Sequence, residues 1–350
     1  MQLLTIYAGC SADGSSSNNN GNEPETPQEP FSIAEYVKNT EVTVIKTATP
    51  IEGADYINNY GGVFIKGRKV TLSPFVMSKY EVTQKLYKEV MEGQKVTIDG
   101  TEYDLEAEPS YFKNNEKLPA NEKQEECPVE NVTWYDAVYF CNALSEKMNC
   151  TKAYTITVTD ILRGHIIAAN VALVSDATGY RLPTEAEWEF AARGGDTTKP
   201  DWNYTFSGAA MAEDREYYDW FNSGLDNVGW YKCNVCNAGQ TDVSSFSVSK
   251  KGWGTHQVGL KNENLLGLFD MSGNVQEWCW DRFGSISTGD ETDPTGPSSG
   301  VDRVLRGGSW CSGADCCSVS NRDGTGPFNR NSNPGVWDDY LGFRFCRNAN

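Results

Sequence analysis

Residues 311–340 contain almost only small or polar side chains, without any Lys, Glu, Gln, Met, Ile or Leu. A segment with so few apolar residues cannot bury much of its own surface, so it must lie over a core that other residues supply. Its flanks differ from it, because residues 304–305 precede a Gly-Gly pair and residues 341–343 are Leu-Gly-Phe. These flanks predict buried strands closed by tight turns. We therefore expect the rest of the chain to form a frame for this segment.

The composition excludes several classes of function. The chain has 350 residues, of which 39% are hydrophobic, so it can bury the core of one large domain or of two smaller domains. The net charge of -18 argues against nucleic acid and against an anionic membrane surface as partners, because both are bound through Lys and Arg. No run of residues is long and apolar enough to span a bilayer. We expect membrane contact only through a lipid anchor.

The N-terminus is typical of an exported lipoprotein. Residues 1–10 end in Ala-Gly-Cys, which is similar to the lipobox at which bacterial lipoprotein precursors are cut and acylated. Residues 11–30 are rich in Ser, Asn, Gly and Pro, as expected of a disordered, flexible tether. This pattern predicts lipidation at Cys10 and a location at the bacterial cell surface, as an outer-membrane lipoprotein, or in the periplasm. The alternative is a disordered tail with an incidental cysteine.

Residues 31–350 are predicted to form a single globular domain with short regular elements. Residues 63–77 partly alternate in polarity and contain a Lys-Gly-Arg turn, which predicts a hairpin. Residues 154–158 and 166–174 are predicted to be the strands of an inserted hairpin.

Three helix starts carry capping signals. Thr83 and Thr133 each precede a stretch with an apolar stripe at helical spacing, and Thr184 with Glu187 forms a capping box. Gly93 and Gly194 are predicted to end the first and the third of these helices.

Four motifs resemble the formylglycine-generating enzyme (sulfatase-modifying factor) family. In chain order they are GYRLPTEAEWEFAARGG, LLGLFDMSGNVQEWCWDRF, RVLRGGSW and LGFRF, and the resemblance extends over about residues 61–347. It implies an α+β, C-type-lectin-type fold with a twisted antiparallel sheet, two main helices and many loops. The family contains both catalysts and binders, so the fold alone does not fix the function.

The resemblance also implies a test for oxidase activity. In the enzymes, cysteines at the third and eighth places after the serine of the Gly-Gly-Ser motif bind copper and drive oxidation of a sulfatase cysteine. Counted from Ser309, these places hold Ser312 and Cys317, so the pair is broken. Cys311 and Cys316 keep the separation one place early, where side chains face the other way unless a bulge restores the register. We predict no catalytic residues and keep the copper-dependent oxidase as the alternative.

Within the same fold, residues 310–340 resemble the variable region in targets of diversity-generating retroelements, of which the Treponema variable protein is one. The frame RGGSW, CSVS and LGFR carries this resemblance. In those systems template adenines are replaced at random, so Asn codons yield a restricted set of residue types that excludes Lys, Glu, Gln, Met and Trp. Apart from Trp337, the positions between frame residues obey this restriction. The predicted variable, ligand-binding positions are Cys311, Ser312, Gly313, Asp315, Cys316, Asn321, Asp323, Gly324, Thr325, Gly326, Phe328, Asn329, Asn331, Ser332, Trp337, Asp338, Asp339 and Tyr340.

This resemblance implies a surface-displayed, non-catalytic protein that binds an unknown protein or cell-surface ligand. Phe328, Trp337 and Tyr340 are the expected aromatic anchors, with adaptable polar residues around them. The acidic positions would favour a cationic or polar patch on the partner. The alternatives are packing of the aromatic rings under the loop and solvated turns at the Asp residues.

The DMSGNVQEW loop resembles a calcium site of the family. Carried over by position, Asp270 and Glu277 would supply carboxylate oxygens, and Gly273 and Val275 would supply backbone carbonyls. Hard oxygen ligands in a turn suit Ca²⁺. The alternative is a turn held together by hydrogen bonds to Asp270. No cofactor is predicted to be required, and structural calcium remains possible.

Overall fold

The computed structural model describes residues 31–350 except 56–60, 115, 117, 214–220, 237–251, 330–338 and 350. Residues Ile33–Asn350 form one compact unit. Several predicted features lie outside the described residues, namely the tether at 11–30 and the positions Cys10, Asn331, Ser332, Trp337 and Asp338.

The described helices are short, and three of them are capped by the predicted residues. Their bounds are α1 (Ile33–Thr40), α2 (Gln84–Met91), α3 (Trp134–Lys147), α4 (Glu185–Ala192) and α5 (Ser223–Asp226). Thr83 caps α2, and reciprocal capping boxes begin α3 at Thr133 and α4 at Thr184. After α2 and α4 the chain turns at Gly93 and Gly194, whose φ angles of 74° and 81° favour glycine. These local predictions are confirmed.

The strands form several small sheets. Their bounds are β1 (Glu41–Ile45), β2 (Thr49–Glu52), β3 (Lys69–Leu72), β4 (Phe75–Ser78), β5 (Lys95–Ile98), β6 (Thr101–Asp104), β7 (Tyr154–Leu162), β8 (His165–Leu173), β9 (Gln276–Arg282), β10 (Glu291–Thr292), β11 (Arg303–Arg306), β12 (Asp323–Thr325), β13 (Leu341–Gly342) and β14 (Cys346–Asn348). The sheet that carries the C-terminal segment has the order β12-β11-β9-β13. Its β12, β11 and β9 pair antiparallel, whereas β13 is parallel to β9. The predicted mixed α+β architecture, with few helices and many loops, is confirmed.

One predicted hairpin is wrong and the other is confirmed. In residues 63–77, β3 pairs with β2 and β10, whereas the next strand, β4, pairs with β1 and β14 in another sheet. Every residue of β4 is buried, so it needs strands on both edges, which an isolated hairpin does not provide. The second hairpin forms as expected, because β7 and β8 pair antiparallel along their length.

A large apolar core lies against α4. Trp188 and Ala191 of α4 pack with Leu72 of β3, Met77 of β4 and Val304 of β11 in one buried cluster. In the described part of the chain, no helix is long and apolar enough to cross a membrane. The packed helix thus supports the strand that leads into the C-terminal segment.

Candidate functional site

Two carboxylates of α4 hold the base of the C-terminal segment. Glu185 accepts hydrogen bonds from Nε and Nη2 of Arg322 at 2.5 and 2.8 Å. One turn further along the same helix face, Glu189 pairs with Arg193 at 2.9 Å and with Arg306. Burial would raise the pKa of Glu189, but the guanidinium groups of Arg193 and Arg306 lower it below its usual value. The segment is therefore anchored by buried, charge-compensated contacts.

The middle of the segment, residues 317–321, is buried. Cys317 packs in an apolar cluster with Phe206, Leu225 and Tyr231. Asn321 is only 7% exposed, and its Nδ2 donates to the carbonyl of Cys316 at 3.1 Å. Of the predicted ligand-binding positions, Asn321 thus lies in the interior of the segment and not on its exposed face.

Strand β12 adds the next part of the segment to the edge of the sheet. Thr325 and Asp323 lie opposite Arg303 and Leu305 of β11. Asp323 is exposed, whereas a Cβ at Gly324 would lie 2.4 Å from Cγ of the Phe283 ring. Position 324 therefore has no room for a side chain while Phe283 stays in place.

The turn after β12 presents the aromatic ring of Phe328. This ring is 58% exposed. Around it, Nδ2 of Asn329 donates to Oγ1 of Thr325 at 2.9 Å, and the carbonyl of Pro327 accepts from the backbone of Trp134 at 3.0 Å. Gly326 is partly exposed. Phe328 is therefore exposed on a turn whose neighbouring residues are held by hydrogen bonds.

Tyr340 and Asp339 lie over an aromatic cluster. Tyr340 is partly buried and packs against the cluster of Phe112, Val235, Trp253 and Trp310. The indole Nε1 of Trp310 donates to the carbonyl of Asp339 at 3.0 Å. The sequence offered two interpretations of Tyr340, an exposed aromatic contact and packing under the loop. The residue is partly exposed, and it also packs against the cluster.

The first part of the segment, residues 311–317, contains a short 3-10 helix at Ala314–Cys317. Its predicted ligand-binding members, Cys311, Ser312, Gly313, Asp315 and Cys316, are all partly exposed. Oγ of Ser312 accepts from the backbone N–H of Ser309 at 3.0 Å and lies 3.0 Å from its hydroxyl. The side chain of Ser312 is thus used to close the turn.

Burial raises the pKa of two thiols of this segment. Cys317 is fully buried, and burial raises its pKa well above the ordinary value. Burial, with the nearby Asp315, raises the pKa of Cys316 to about 12. Because the thiolate is the metal ligand, raised pKa values disfavour binding at neutral pH. Among the described residues, no group of three or more His, Cys, Asp and Glu side chains is arranged to hold a metal ion.

The loop that resembles a calcium site contains buried acidic side chains. Glu277 accepts from Nε and Nη2 of Arg344 at 2.7 and 2.8 Å and from the indole of Trp188 at 2.9 Å. Oδ2 of Asp270 accepts from the backbone of Gly259 at 2.7 Å. Its Oδ1 is buried and has no hydrogen-bond partner in the described part of the chain.

An unpartnered buried oxygen fits a cation at Asp270. Burial raises the pKa of this carboxyl to about 6, and a cation would favour its charged form. Gly273 is fixed by its N–H bond to Gly307 at 2.9 Å, and Val275 by its N–H bond to Glu81 at 3.0 Å. The resemblance would assign calcium to Asp270 and to the carbonyls of Gly273 and Val275, with Glu277 offering only the lone pairs that Arg344 and Trp188 leave. The ion would supply charge compensation and rigidity.

The sequence reasoning missed the contacts that support the segment from below. Glu185 lies between Thr184 and Glu187 of the predicted capping box, and this position gives no reason to expect Arg322 as its partner. Phe283 follows β9 and lies beneath Gly324. The only signals available were the excess of carboxylates in the motif around α4 and the Gly at 324, and neither identifies a partner far away in sequence.

The fold defines a class of mixed α+β proteins with few helices, several small sheets and many loops. Residues 46–349 match the family model of the sulfatase-modifying factor enzyme 1-like domain. The chain therefore belongs to the formylglycine-generating enzyme-like sulfatase-modifying family. The resemblance seen in the four sequence motifs is confirmed.

Relatives of the chain carry different names. It is 35% identical over 271 residues to a "Chaperone protein LppX" of Paenibacillus barcinonensis, covering 74% of this chain and 79% of the relative. It is 27% identical over 252 residues to a formylglycine-generating enzyme of Thermomonospora curvata, covering 69% and 73%. Among solved structures, Treponema denticola variable protein 1 superposes with a TM-score of 0.62 at 32% identity, covering 88% of this chain and 99% of the other. Membership of the family therefore does not decide between catalysis and binding.

Proposed function

We propose that this chain is a ligand-binding protein whose exchangeable residues lie within positions 311–340, and that it is not a catalyst. The observation that carries the proposal is the division of the segment into anchored and exposed parts. Arg322 and residues 317–321 are held in the interior, whereas Asp323 and Phe328 are exposed. A surface of this kind can change its side chains without loss of the frame beneath it. The similarity to a solved variable protein supports the same reading.

The copper-binding register supports a non-catalytic function. The two positions at which the enzymes carry cysteines hold Ser312, whose hydroxyl closes a turn, and Cys317, which packs in the core. Cys311 and Cys316 have the right separation, but Cys316 lies in the 3-10 helix Ala314–Cys317 and not in the bulged strand that would restore the register.

The proposal extends to location and partner. Lipidation at Cys10 would attach the chain to a bacterial membrane, as a surface-displayed outer-membrane lipoprotein or in the periplasm. The partner would be a protein or another cell-surface ligand, met through Phe328 as the central aromatic contact and through polar side chains around it. Asp315 and Asp323 would favour cationic groups on that partner.

Sequencing of the 3' end of the gene across many cells of one population tests the proposal. Substitutions should concentrate at positions such as Asp315, Asp323 and Phe328, while Gly307 and Arg322 stay unchanged. A companion search of the genome should find a near-copy of this coding segment beside a reverse transcriptase. If the segment is invariant among cells and no such copy exists, the proposal fails.

The alternative function is a copper-dependent oxidase that makes formylglycine in a sulfatase. The observation in its favour is that Cys317 keeps one of the two expected positions. Incubation of the purified chain and Cu(I) with a sulfatase-derived cysteine peptide and oxygen tests it directly. Aldehyde formation that is lost in Cys317→Ala would replace the binding proposal by this one.

A further inference from the structure

A polar pocket lies beside the exposed turn of the C-terminal segment. Its volume is about 310 Å³, and it is formed by residues of α3, β8, β9 and β11 together with residues 300–301 and Pro327. Its walls include the guanidinium groups of Arg282 and Arg303, the aromatic side chains of Trp134 and Tyr135, and Asn170. Phe328 directly follows Pro327 in the chain. The pocket therefore adjoins the proposed ligand-binding surface, although its own residues are not among the exchangeable positions.

The two arginines form a pair of like charges, and the carboxylate of Asp281 acts on Arg303 less strongly than burial and Arg282 do. Arg282 and Arg303 lie directly opposite each other on β9 and β11, where like charges destabilise a sheet. In the part of the chain that the structure describes, neither guanidinium makes an ion pair with Asp or Glu. Other buried or partly buried arginines have such a partner, as Arg322 has in Glu185 and Arg344 in Glu277.

Arg303 retains donors that no described protein atom accepts. Its residue is 9% exposed, its guanidinium carbon lies 3.7 Å from the centre of the Trp134 ring, and its Nη1 donates to the carbonyl of Trp280 at 2.6 Å. A guanidinium has five N–H donors. Stacking on Trp134 fixes its plane, so the remaining donors lie in a defined orientation beside the pocket. Burial, together with Arg282, lowers the pKa of Arg303 to about 10.

We propose that this pocket is a fixed subsite for a carboxylate, supplied by an acidic side chain of a protein ligand. A carboxylate matches the planar donor edge of a guanidinium and would offset the charge of both arginines. A single negative charge is favoured over a polyanion, because the rest of the chain would repel a polyanion.

A protein ligand is favoured by the rim of the pocket. Val301 lines it and is 72% exposed, and the exposed ring of Phe328 follows Pro327 at its edge. Apolar side chains around an arginine pair are the composition of a protein interface, in which Arg and aromatic residues are enriched. The inference rests on the proposed binding function. It adds that one part of the ligand is bound by residues outside the exchangeable positions.

Three small probes test the subsite on the full chain. They are aspartate capped at both ends as N-acetyl and N-methylamide, the equally capped asparagine as its neutral isostere, and inorganic phosphate, all at constant ionic strength. Binding is followed through the Nε–Hε resonances of Arg282 and Arg303 in ¹⁵N-labelled protein. The capped aspartate should shift both resonances and saturate, whereas the capped asparagine should leave them nearly unchanged.

Variants separate the pocket from the general charge of the chain. Arg282→Gln should weaken binding of the capped aspartate by at least about tenfold, because one of two charge-assisted contacts is lost. Arg163→Gln, at the exposed turn between β7 and β8, makes the same change of charge and should bind as the wild type does. Arg282 is chosen because Arg303 also packs on Trp134, and its loss could disturb the fold.

Three results would overturn the inference: equal binding of both capped amino acids, wild-type affinity in Arg282→Gln, or tighter binding of phosphate than of capped aspartate. The last result would identify a general anion site. None of these probes depends on sequence variation among cells. An invariant segment together with carboxylate binding would therefore reject only the proposed diversification.

Discussion

Arg322 binds Glu185 through two parallel hydrogen bonds, from Nε at 2.5 Å and from Nη2 at 2.8 Å. The side chains of both residues are almost entirely buried. The pair joins the C-terminal segment to the first turn of α4, whose own start is fixed by the capping box at Thr184. The start of α4, which nearby residues determine, thus fixes the position of Arg322. The segment becomes exposed directly after this residue.

Replacement of Arg322 by Met should destabilise the protein. The change leaves the carboxylate of Glu185 buried without its main partner, which typically costs about 3 kcal/mol or more. Urea unfolding should show this as a lower midpoint with an unchanged slope. Asp323→Asn, at the next and exposed position, should remain within about 0.5 kcal/mol of wild type. Equal stability of the two variants would contradict the anchoring function of the pair.

Replacement of Gly324 by Ala should also destabilise the protein, by about 1 to 3 kcal/mol, because the new Cβ would overlap Phe283. Gly326→Ala is the matched control, since its Cβ would meet only the exposed ring of Phe328 at 3.0 Å. The double variant Gly324→Ala with Phe283→Ala should recover part of the loss attributed to the clash.

Diversified sequences should accordingly keep Gly at 324 more often than chance. Frequent large residues at 324 in stable chains would refute this constraint.

The thiols of the segment should differ in reactivity. Cys316 is partly exposed and has a pKa of about 12, whereas Cys317 is fully buried with a raised pKa. Both should react slowly with iodoacetamide at pH 7.5, and Cys317 should react only after unfolding. Mass spectrometry of the labelled peptides measures this. Rapid modification of native Cys317, or tight Cu(I) binding that disappears in Cys317→Ala, would favour the oxidase.

The buried carboxyl group of Glu130 should make the protein less stable as the pH rises from about 4.5 to about 8. Burial raises the pKa of Glu130 to about 8, although the backbone N–H groups of Phe112 and Tyr111 donate to its carboxylate. Between the two pKa values the folded state holds a proton that the unfolded state has released, so increasing pH favours unfolding. Urea midpoints from pH 5 to 8 should show a smaller slope in Glu130→Gln. Glu102→Gln, at an exposed position, should keep the wild-type slope.

Calcium should raise the unfolding temperature if Asp270 binds it through its unpartnered oxygen. Thermal unfolding is compared in excess EDTA and in excess Ca²⁺ at pH 7.5. Asp270→Asn should remove the difference, whereas Asp290→Asn, a surface change of the same kind, should not. Identical unfolding temperatures of the wild type in both buffers would leave the loop as a turn stabilised by hydrogen bonds alone.

The features that were predictable from the sequence are those with local causes. The starts of α2, α3 and α4 follow from Thr83, Thr133 and Thr184, because a cap acts within one turn of its helix. The hairpin of β7 and β8 follows from adjacent alternating strands. The expected hairpin in residues 63–77 did not form, because each of its strands has stronger partners elsewhere in the chain. Pairing over such distances leaves no mark in a window of neighbouring residues.

The sequence by itself determined the family, the frame motifs and the restricted residue types of the C-terminal segment, since each of these is written in contiguous residues. Only the tertiary structure decided which of those residues are exposed. Asp323 and Phe328 are exposed, whereas Asn321 is turned into the segment and Gly324 lies against Phe283. It also placed Arg282 beside Arg303. The physical reason is that exposure and charge compensation depend on neighbours brought together by packing, and composition does not specify those neighbours.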